Sequence, residues 1–267
     1  MAQPARGALP GPDVSPWRRT LRYWISRFVV AVLTRGYLRV GRADGPPLPA
    51  GPAIYCFNHM SWADPFVLMA LLPYRPRLWF FGPKEEDMAV GGRNRVMTWT
   101  GSAIPYKPGK NDLLEATRRV GAVIASGGVV AIAGEGRIHG RENEILPLSE
   151  GAAYFAMRSG VPLVPVAIHG TSWLRFGGPV TVSVGEAIAL EGRPNRVSLA
   201  DATDRLTAAL TALVADAPDV QRPGRIGRWL TERFNDWPEG SRDAALAASA
   251  GFGASAGERS GILPSPD

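Results

Sequence analysis

A histidine followed five residues later by an aspartate is the sharpest chemical feature of this chain: His59 and Asp64 in Asn58-His59-Met60-Ser61-Trp62-Ala63-Asp64-Pro65. On a continuous helix five residues turn through about 500°, which leaves the two side chains roughly 140° apart. They meet only if the segment between them is a turn. Asp64-Pro65 supplies one, reading as an N-cap residue followed by proline at the first helical position. The apolar run Ala53–Phe57 just before it reads as a buried strand. His59 is therefore expected on a loop at a strand's carboxyl end, where α/β sheets bind ligands. A histidine oriented by a buried carboxylate works as a general base, because the carboxylate fixes the tautomer and stabilises the imidazolium. If that base deprotonates the hydroxyl of an acceptor substrate, no serine or cysteine nucleophile is required. The plainer alternative is an Asn-His turn in which Asp64 serves as a helix cap alone.

Three further blocks carry chemistry. In Val129-Val130-Ala131-Ile132-Ala133-Gly134-Glu135-Gly136-Arg137-Ile138-His139 a buried strand runs into a glycine-flanked Glu135 and Arg137. Glycine lets backbone approach a ligand, and arginine can grip a phosphate with two hydrogen bonds; the alternative is a Glu-Arg pair closing a surface turn. Gly101-Ser102-Ala103-Ile104-Pro105-Tyr106-Lys107 ends a short extended segment with a cation. Val161–Thr171 is a strand studded with proline, as suits an edge or a bend. Gly253-Ala254-Ser255-Ala256-Gly257 matches the G-x-S-x-G nucleophile elbow in letters, but it lacks the strand and helix that motif needs and is set aside. Cys56, the single cysteine, excludes an intramolecular disulfide and a cysteine metal cluster and reads as core. His139 and His169 flank the same cleft without a pattern that gives them a role.

The elements that must position these blocks alternate. Apolar runs at Ala53–Phe57, Leu78–Phe81, Val129–Ala133, Leu163–Ile168 and Val180–Val184 read as strands. Helical stretches are expected near 65–72, 86–99, 111–125, 150–159, 198–216 with Ser198 as cap, and 226–234. Such alternation implies an α/β sheet with helices on its faces. With 267 residues, 45% of them hydrophobic and 20% charged, the chain has globular composition. Its net charge of +6 is concentrated in residues 1–42, which hold eight arginines and one acid, Asp13, while the rest is nearly balanced. A nucleic-acid enzyme usually spreads positive charge over its binding face, so no nucleic-acid partner is expected.

That basic arm has its own pattern. Residues 1–15 are rich in proline and glycine and are expected to be disordered, as is the Ala/Gly/Ser/Pro tail 239–267. From Pro16, Leu21, Trp24, Ile25, Phe28, Val29 and Val32 recur on one helix face, with Arg19, Arg22 and Arg27 off it and an end expected near Gly36. Phe28–Thr34, seven residues, is the longest uncharged run between its arginines, against about 20 for a bilayer span. Residues 16–42 thus read as a basic amphipathic helix lying in the plane of an anionic membrane surface. The alternative is a helix that packs its apolar face on the body and leaves its arginines solvated.

Taken together, the four blocks between Asn58 and Thr171 resemble the glycerolipid acyltransferase family typified by bacterial 1-acylglycerol-3-phosphate acyltransferase. The family's NHxSxxD, G-x-I-x-x-x-[RK], [FP]-x-E-G and VP-x-VPVAI blocks can each be read here, and Val180–Ile188 looks like its closing strand. The resemblance implies an α/β domain over 43–190 with a mixed, largely parallel sheet flanked by helices, preceded by the amphipathic helix and followed by C-terminal helices over 191–238. It implies that His59 is the base and Asp64 its orienting partner. It also implies that Asn58, Ser61, Lys107, Glu135, Gly136 and Arg137 shape the substrate site, the last four around the acceptor's phosphate. The acceptor would be a lysophospholipid, 1-acylglycerol-3-phosphate first, and the donor an acyl-CoA or acyl-carrier protein acting as co-substrate. No cofactor and no metal are implied, and the expected location is the cytoplasmic face of the cell membrane, peripheral or monotopic. Three departures touch the phosphate site: Gly134-Glu135-Gly136-Arg137-Ile138 resembles an E-G-R variant of the family's common F-P-E-G-T-R, Lys107 replaces the usual arginine, and Glu150 stands where a basic residue often precedes the glycine. These departures keep another lysolipid or a glycolipid acceptor open, and a lipid-surface binding protein without turnover is the alternative from a different class, against which the His59/Asp64 pair speaks.

Overall fold

A computed structural model describes residues 9–10, 14–84, 99–106, 112–218 and 220–235. In chain order these form α1 (Pro16–Tyr37), β1 (Leu38–Arg42), β2 (Ile54–Phe57), α2 (Asp64–Leu71), β3 (Leu78–Lys84), β4 (Ala103–Tyr106), α3 (Asp112–Ala125), β5 (Val129–Ala133), α4 (Gly151–Ser159), β6 (Leu163–His169), β7 (Gly178–Val184), α5 (Arg196–Val214) and α6 (Arg225–Phe234). The strands make one sheet in the order β1-β7-β6-β2-β5-β3-β4. Every neighbouring pair is parallel except β6 with β7, so the sheet is mixed and largely parallel. The expected helix at 86–99 falls almost wholly outside the described residues, as do Lys107 and the tail 239–267.

Central strands covered on both faces read as continuous apolar runs, and β2 is buried at all four positions. Alternate side chains feed two cores. Tyr55, Phe57, Phe80, Ala131, Val164 and Val166 join α2 on one face, where Val30 of α1 and Leu230 of α6 also pack. Ile54, Cys56, Trp79, Val130 and Ile132 meet α3, α4 and α5 on the other. α1, α2 and α6 thus belong to one layer.

Two boundaries differ from expectation. In the arm 16–42 the helix ends at Tyr37, next to the end expected near Gly36, but Leu38–Arg42, read as part of the helical arm, pairs with β7 as an edge strand. Its apolar alternation is limited to Leu38 and Val40, too short a pattern beside two arginines and a glycine to announce a strand. In α5 the N-cap is Asn195, whose side chain accepts from the Val197 and Ser198 amides, while Ser198 closes the reciprocal half of a capping box.

α1 also lies the opposite way round from the packed alternative. Tyr23, Ser26 and Arg27 face inward, whereas Trp17, Leu21, Trp24, Ile25, Phe28, Val29, Val32 and Leu33 are exposed. Arg27 is fully buried and donates to the Leu72 carbonyl and the Tyr23 hydroxyl, with its guanidinium over the Tyr74 ring. Arg35 donates to the Ala70 carbonyl at 3.1 Å. Ala70 and Leu72 stand at the C-terminal end of α2, where carbonyls lack helical partners and the dipole is negative. Two cations therefore dock α1 on α2 and turn its apolar stripe outward. Among the described residues no helix is long and apolar enough to cross a membrane.

Asn58 extends the sheet past the end of β2. Its side-chain amide donates to the Ile168 carbonyl at 3.0 Å and accepts from the Ile168 amide at 2.7 Å, copying a peptide group where the ladder between β2 and β6 stops. Asn58→Ala would leave both backbone groups unpaired in a fully buried place. It is expected to cost about 2–4 kcal/mol in urea unfolding. Asn58→Asp should not rescue it, because it sets an acceptor against the Ile168 carbonyl.

Candidate active site

The three strands at the centre of the sheet, β6, β2 and β5, deliver their carboxyl ends side by side. His59 follows β2, Glu135 follows β5 and Thr171 follows β6. Between His59 and Asp64 the chain curls so tightly that the Met60 and Ser61 amides both donate to Asp64 Oδ2, at 2.7 and 2.9 Å. His59 Nδ1 reaches the same oxygen at 2.9 Å. Asp64 Oδ1 accepts from the Thr171 hydroxyl at 2.6 Å. Asp64 is fully buried while the His59 side chain keeps 21% exposure. A ring whose Nδ1–H is held by a carboxylate carries its lone pair on Nε2, the nitrogen left for a substrate. The turn that five-residue spacing requires is thus present. Asp64, expected to cap its own helix, makes no cap bond; the cap position is Ala63, and the carboxylate bends back into the loop instead.

Two more buried carboxylates brace this unit. Glu135 Oε2 accepts from the His59 amide at 2.7 Å and Oε1 from the Leu146 amide at 2.9 Å. The His59 carbonyl in turn accepts from the His139 amide at 3.1 Å, and His139 Nε2 lies 3.0 Å from Glu135 Oε1. Glu142 accepts from the Gly170 and Ser172 amides at 2.8 and 3.0 Å, on either side of Thr171. Burial pushes the Glu142 carboxyl pKa up and the nearby Asp64 charge adds to this, against the hydrogen bonds from Ser172 and Gly170 that lower it. The geometry supplies a histidine held in position by a buried carboxylate and still partly exposed, which is the equipment of a general base. Among the described residues no group of three or more His, Cys, Asp or Glu side chains is arranged to hold a metal ion.

Parts of this chain are similar to known proteins. A family model described as Acyltransferase matches residues 42–169, from the end of β1 to the end of β6. Over that span, just under half of the chain, it is similar to acyltransferases. It is 24% identical over 202 residues to a 1-acyl-sn-glycerol-3-phosphate acyltransferase of Chlamydomonas reinhardtii, covering 72% of this chain and 59% of that protein. It is 31% identical over 159 residues to the human 1-acyl-sn-glycerol-3-phosphate acyltransferase beta, covering 54% of this chain and 53% of the relative. The chain therefore spans less than two thirds of either curated relative. The crystal structure of the 1-acyl-sn-glycerophosphate acyltransferase PlsC of Thermotoga maritima shares its fold, with a TM-score of 0.53 at 15% identity over 76% of this chain and 85% of that one.

Within the matched span the expected substrate residues divide. Gly136 is exposed with φ +65, a left-handed turn that favours glycine, and Arg137 beside it is half-buried. Asn58, Ser61 and Glu135 are buried, and their side chains bond the Ile168 backbone, the Ala63 amide, and the His59 and Leu146 amides respectively. They hold the loop rather than face a substrate. Lys107 lies outside the described residues. The Gly134 departure has a packing reason: a Cβ there would stand 2.5 Å from Cys56 Sγ and 3.0 Å from Leu148. His169 ends β6 outside the relay, its pKa lowered by burial.

Thr171, Glu142 and His139 are the residues that sequence reasoning missed. Thr171 closes the fourth block and could have been found by asking what a strand-end hydroxyl beside a buried acid would do. Glu142 carries no signal in a polar run.

Asp64→Asn puts an amide nitrogen among donors and is expected to lower kcat about 10³-fold or more in an acyl-transfer assay. Thr171→Val removes one donor of four and should cost about tenfold, with circular dichroism unchanged in both.

Proposed function

We propose that this protein moves a fatty acyl chain from an acyl thioester, acyl-CoA or acyl-carrier protein, to the hydroxyl of a lysophospholipid, with 1-acylglycerol-3-phosphate the foremost acceptor. The observation that carries the reading is the His59–Asp64 contact at 2.9 Å, braced by Thr171. In this mechanism Nε2 of His59 takes the proton of the acceptor hydroxyl as its oxygen attacks the thioester carbonyl. The Asp64 carboxylate stabilises the imidazolium formed. Collapse of the tetrahedral intermediate breaks the C–S bond, and the imidazolium returns its proton to the departing thiolate. Ester and free thiol leave, with atoms and charge balanced and no acyl-enzyme formed.

Arg137 and Lys107 are the cations assigned to the acceptor's phosphate. Arginine can grip it in a bidentate way, whereas lysine is a point charge. Because the common arginine position holds Ile138 and Lys107 replaces an arginine, a different lysolipid or a glycolipid acceptor is the second reading.

The reaction is placed at the cytoplasmic face of the membrane, where the acceptor enters from the leaflet. Support comes from the outward stripe of α1, with Trp17, Trp24, Phe28 and Leu33 exposed and Arg18 and Arg22 in the same helix. Anionic lipid attracts such arginines by about 1 kcal/mol each, less as salt rises.

The test is transfer from long-chain acyl-CoA and acyl-carrier protein to a panel of lysophospholipids and glycolipids, with His59→Ala alongside. Labelled phospholipid that disappears in His59→Ala is the expected outcome. Free fatty acid without labelled lipid product would identify a thioesterase instead. Inactivity of wild type with every donor and acceptor would leave the lipid-binding alternative.

A further inference from the structure

We infer that α6 is a second membrane-contacting element, one that seats the loop carrying His59 and Asp64 against an anionic bilayer surface; this rests on the reading of the enzyme as membrane-bound. The helix is amphipathic in an unusual sense. Gly227 and Thr231 are buried, with Thr231 accepting from the Leu174 amide at 2.9 Å. On the outward side Ile226 and Trp229 are 76% and 60% exposed, and Arg225 and Arg233 share that side with them. A bare tryptophan and isoleucine set among arginines suit the headgroup boundary, where the ring and the aliphatic chain bury and the cations meet lipid phosphates. Arg225, Arg228 and Arg233 face a single acid, Glu232, within the helix. An anionic lipid surface is the partner that answers both the charge and the apolar residues.

Position supports the same occupant. α6 packs on the sheet face that also carries α1 and α2. The loop between β6 and β7 joins the two outer helices: its Leu174 amide binds Thr231 of α6, while its Phe176 stacks edge-on against Tyr37 at the end of α1. Phe176 is itself 77% exposed, which places an exposed aromatic between the α1 stripe and the α6 face.

The helix is also tied to the chemistry. The Trp62 indole donates to the Leu230 carbonyl at 3.0 Å, and the Trp62 amide donates to Asn235 Oδ1 at 2.8 Å. The Trp62 ring meets Phe234 edge-on at 5.1 Å. Trp62 lies between His59 and Asp64, so whatever α6 rests on is coupled to the turn that orients the base.

The experiment uses the full chain with a single added thiol, Ile226→Cys, carrying an environment-sensitive fluorophore, and Phe28→Cys labelled in parallel. Cys56 is fully buried, so mock-labelled wild type gives the blank. Vesicles of phosphatidylcholine with phosphatidylglycerol are compared with pure phosphatidylcholine. A blue-shifted, quencher-protected signal from the Ile226 site on phosphatidylglycerol vesicles, together with about fivefold weaker binding for each of Arg225→Gln and Arg233→Gln, is expected. An Ile226 label that stays in water while the Phe28 label enters the bilayer overturns this inference and leaves the membrane reading standing. Both labels in water overturn the membrane reading with it. A label already shielded before vesicles are added overturns the inference in favour of a protein cover, a second copy of the chain included.

Discussion

The carboxylate of Asp64 is the constraint on which this site is built. A fully buried anion is costly unless its oxygens are met by donors. Here two backbone amides, the His59 ring and the Thr171 hydroxyl meet them. Satisfying that anion fixes nearly everything around it. The chain from 59 to 61 must curl so that successive amides converge on one oxygen, a concave anion site of the kind consecutive N–H groups form. The end of β6 must lie beside the end of β2 for Thr171 to reach. The ring of His59 must present Nδ1 inward.

The same device recurs twice around it. Glu135 collects the amides of His59 and Leu146, and Glu142 those of Gly170 and Ser172. Three buried acids thus each take two backbone amides, and all three stitch the loops that leave β2, β5 and β6. A carboxylate accepting amides has fixed geometry and carries no long flexible cation whose rotamers must be frozen. The crowding has an electrostatic consequence: the field of Asp64 adds to burial in raising the Glu142 carboxyl pKa. Position is therefore obtained at the expense of placing like charges near one another, and the amide donors are what offset it.

The sequence made the strands legible where they are central. Val129–Ala133 is an apolar run that any reading takes as buried, and it is β5 residue for residue. β1 was hidden because Leu38–Arg42 is a partly exposed edge strand whose partner lies at Gly178–Val184. The His59–Asp64 pair was legible from spacing and the Asp64-Pro65 turn. What spacing could not say is that Asp64 faces back into the loop, since that depends on Thr171, 107 residues away. Asn58, Ser61 and Glu135 were expected at the substrate and are found inside, because a motif marks residues a site requires without saying which of them touch the ligand. Periodicity likewise revealed the amphipathic character of α1 but not which face is buried; Arg27 decides that, and a lone arginine off a stripe reads as solvated.

That inversion links the outer surface to the chemistry. α2 receives Arg27 and Arg35 at its C-terminal carbonyls and begins, eight residues earlier, with Asp64. The helix that sets the orienting carboxylate is therefore the helix on which α1 is mounted. At its other end Trp62 is held by α6 through two hydrogen bonds. The turn between base and orienter is thus clamped between the two helices whose apolar side chains point outward. A surface that engages both would grip the molecule by the elements that define the His59 geometry, so in the proposed reaction the angle at which His59 meets an acceptor would follow from how α1 and α6 are seated. A hinge between anchor and domain would break that relation. The short path from Tyr37 directly into β1, with no intervening linker, keeps it.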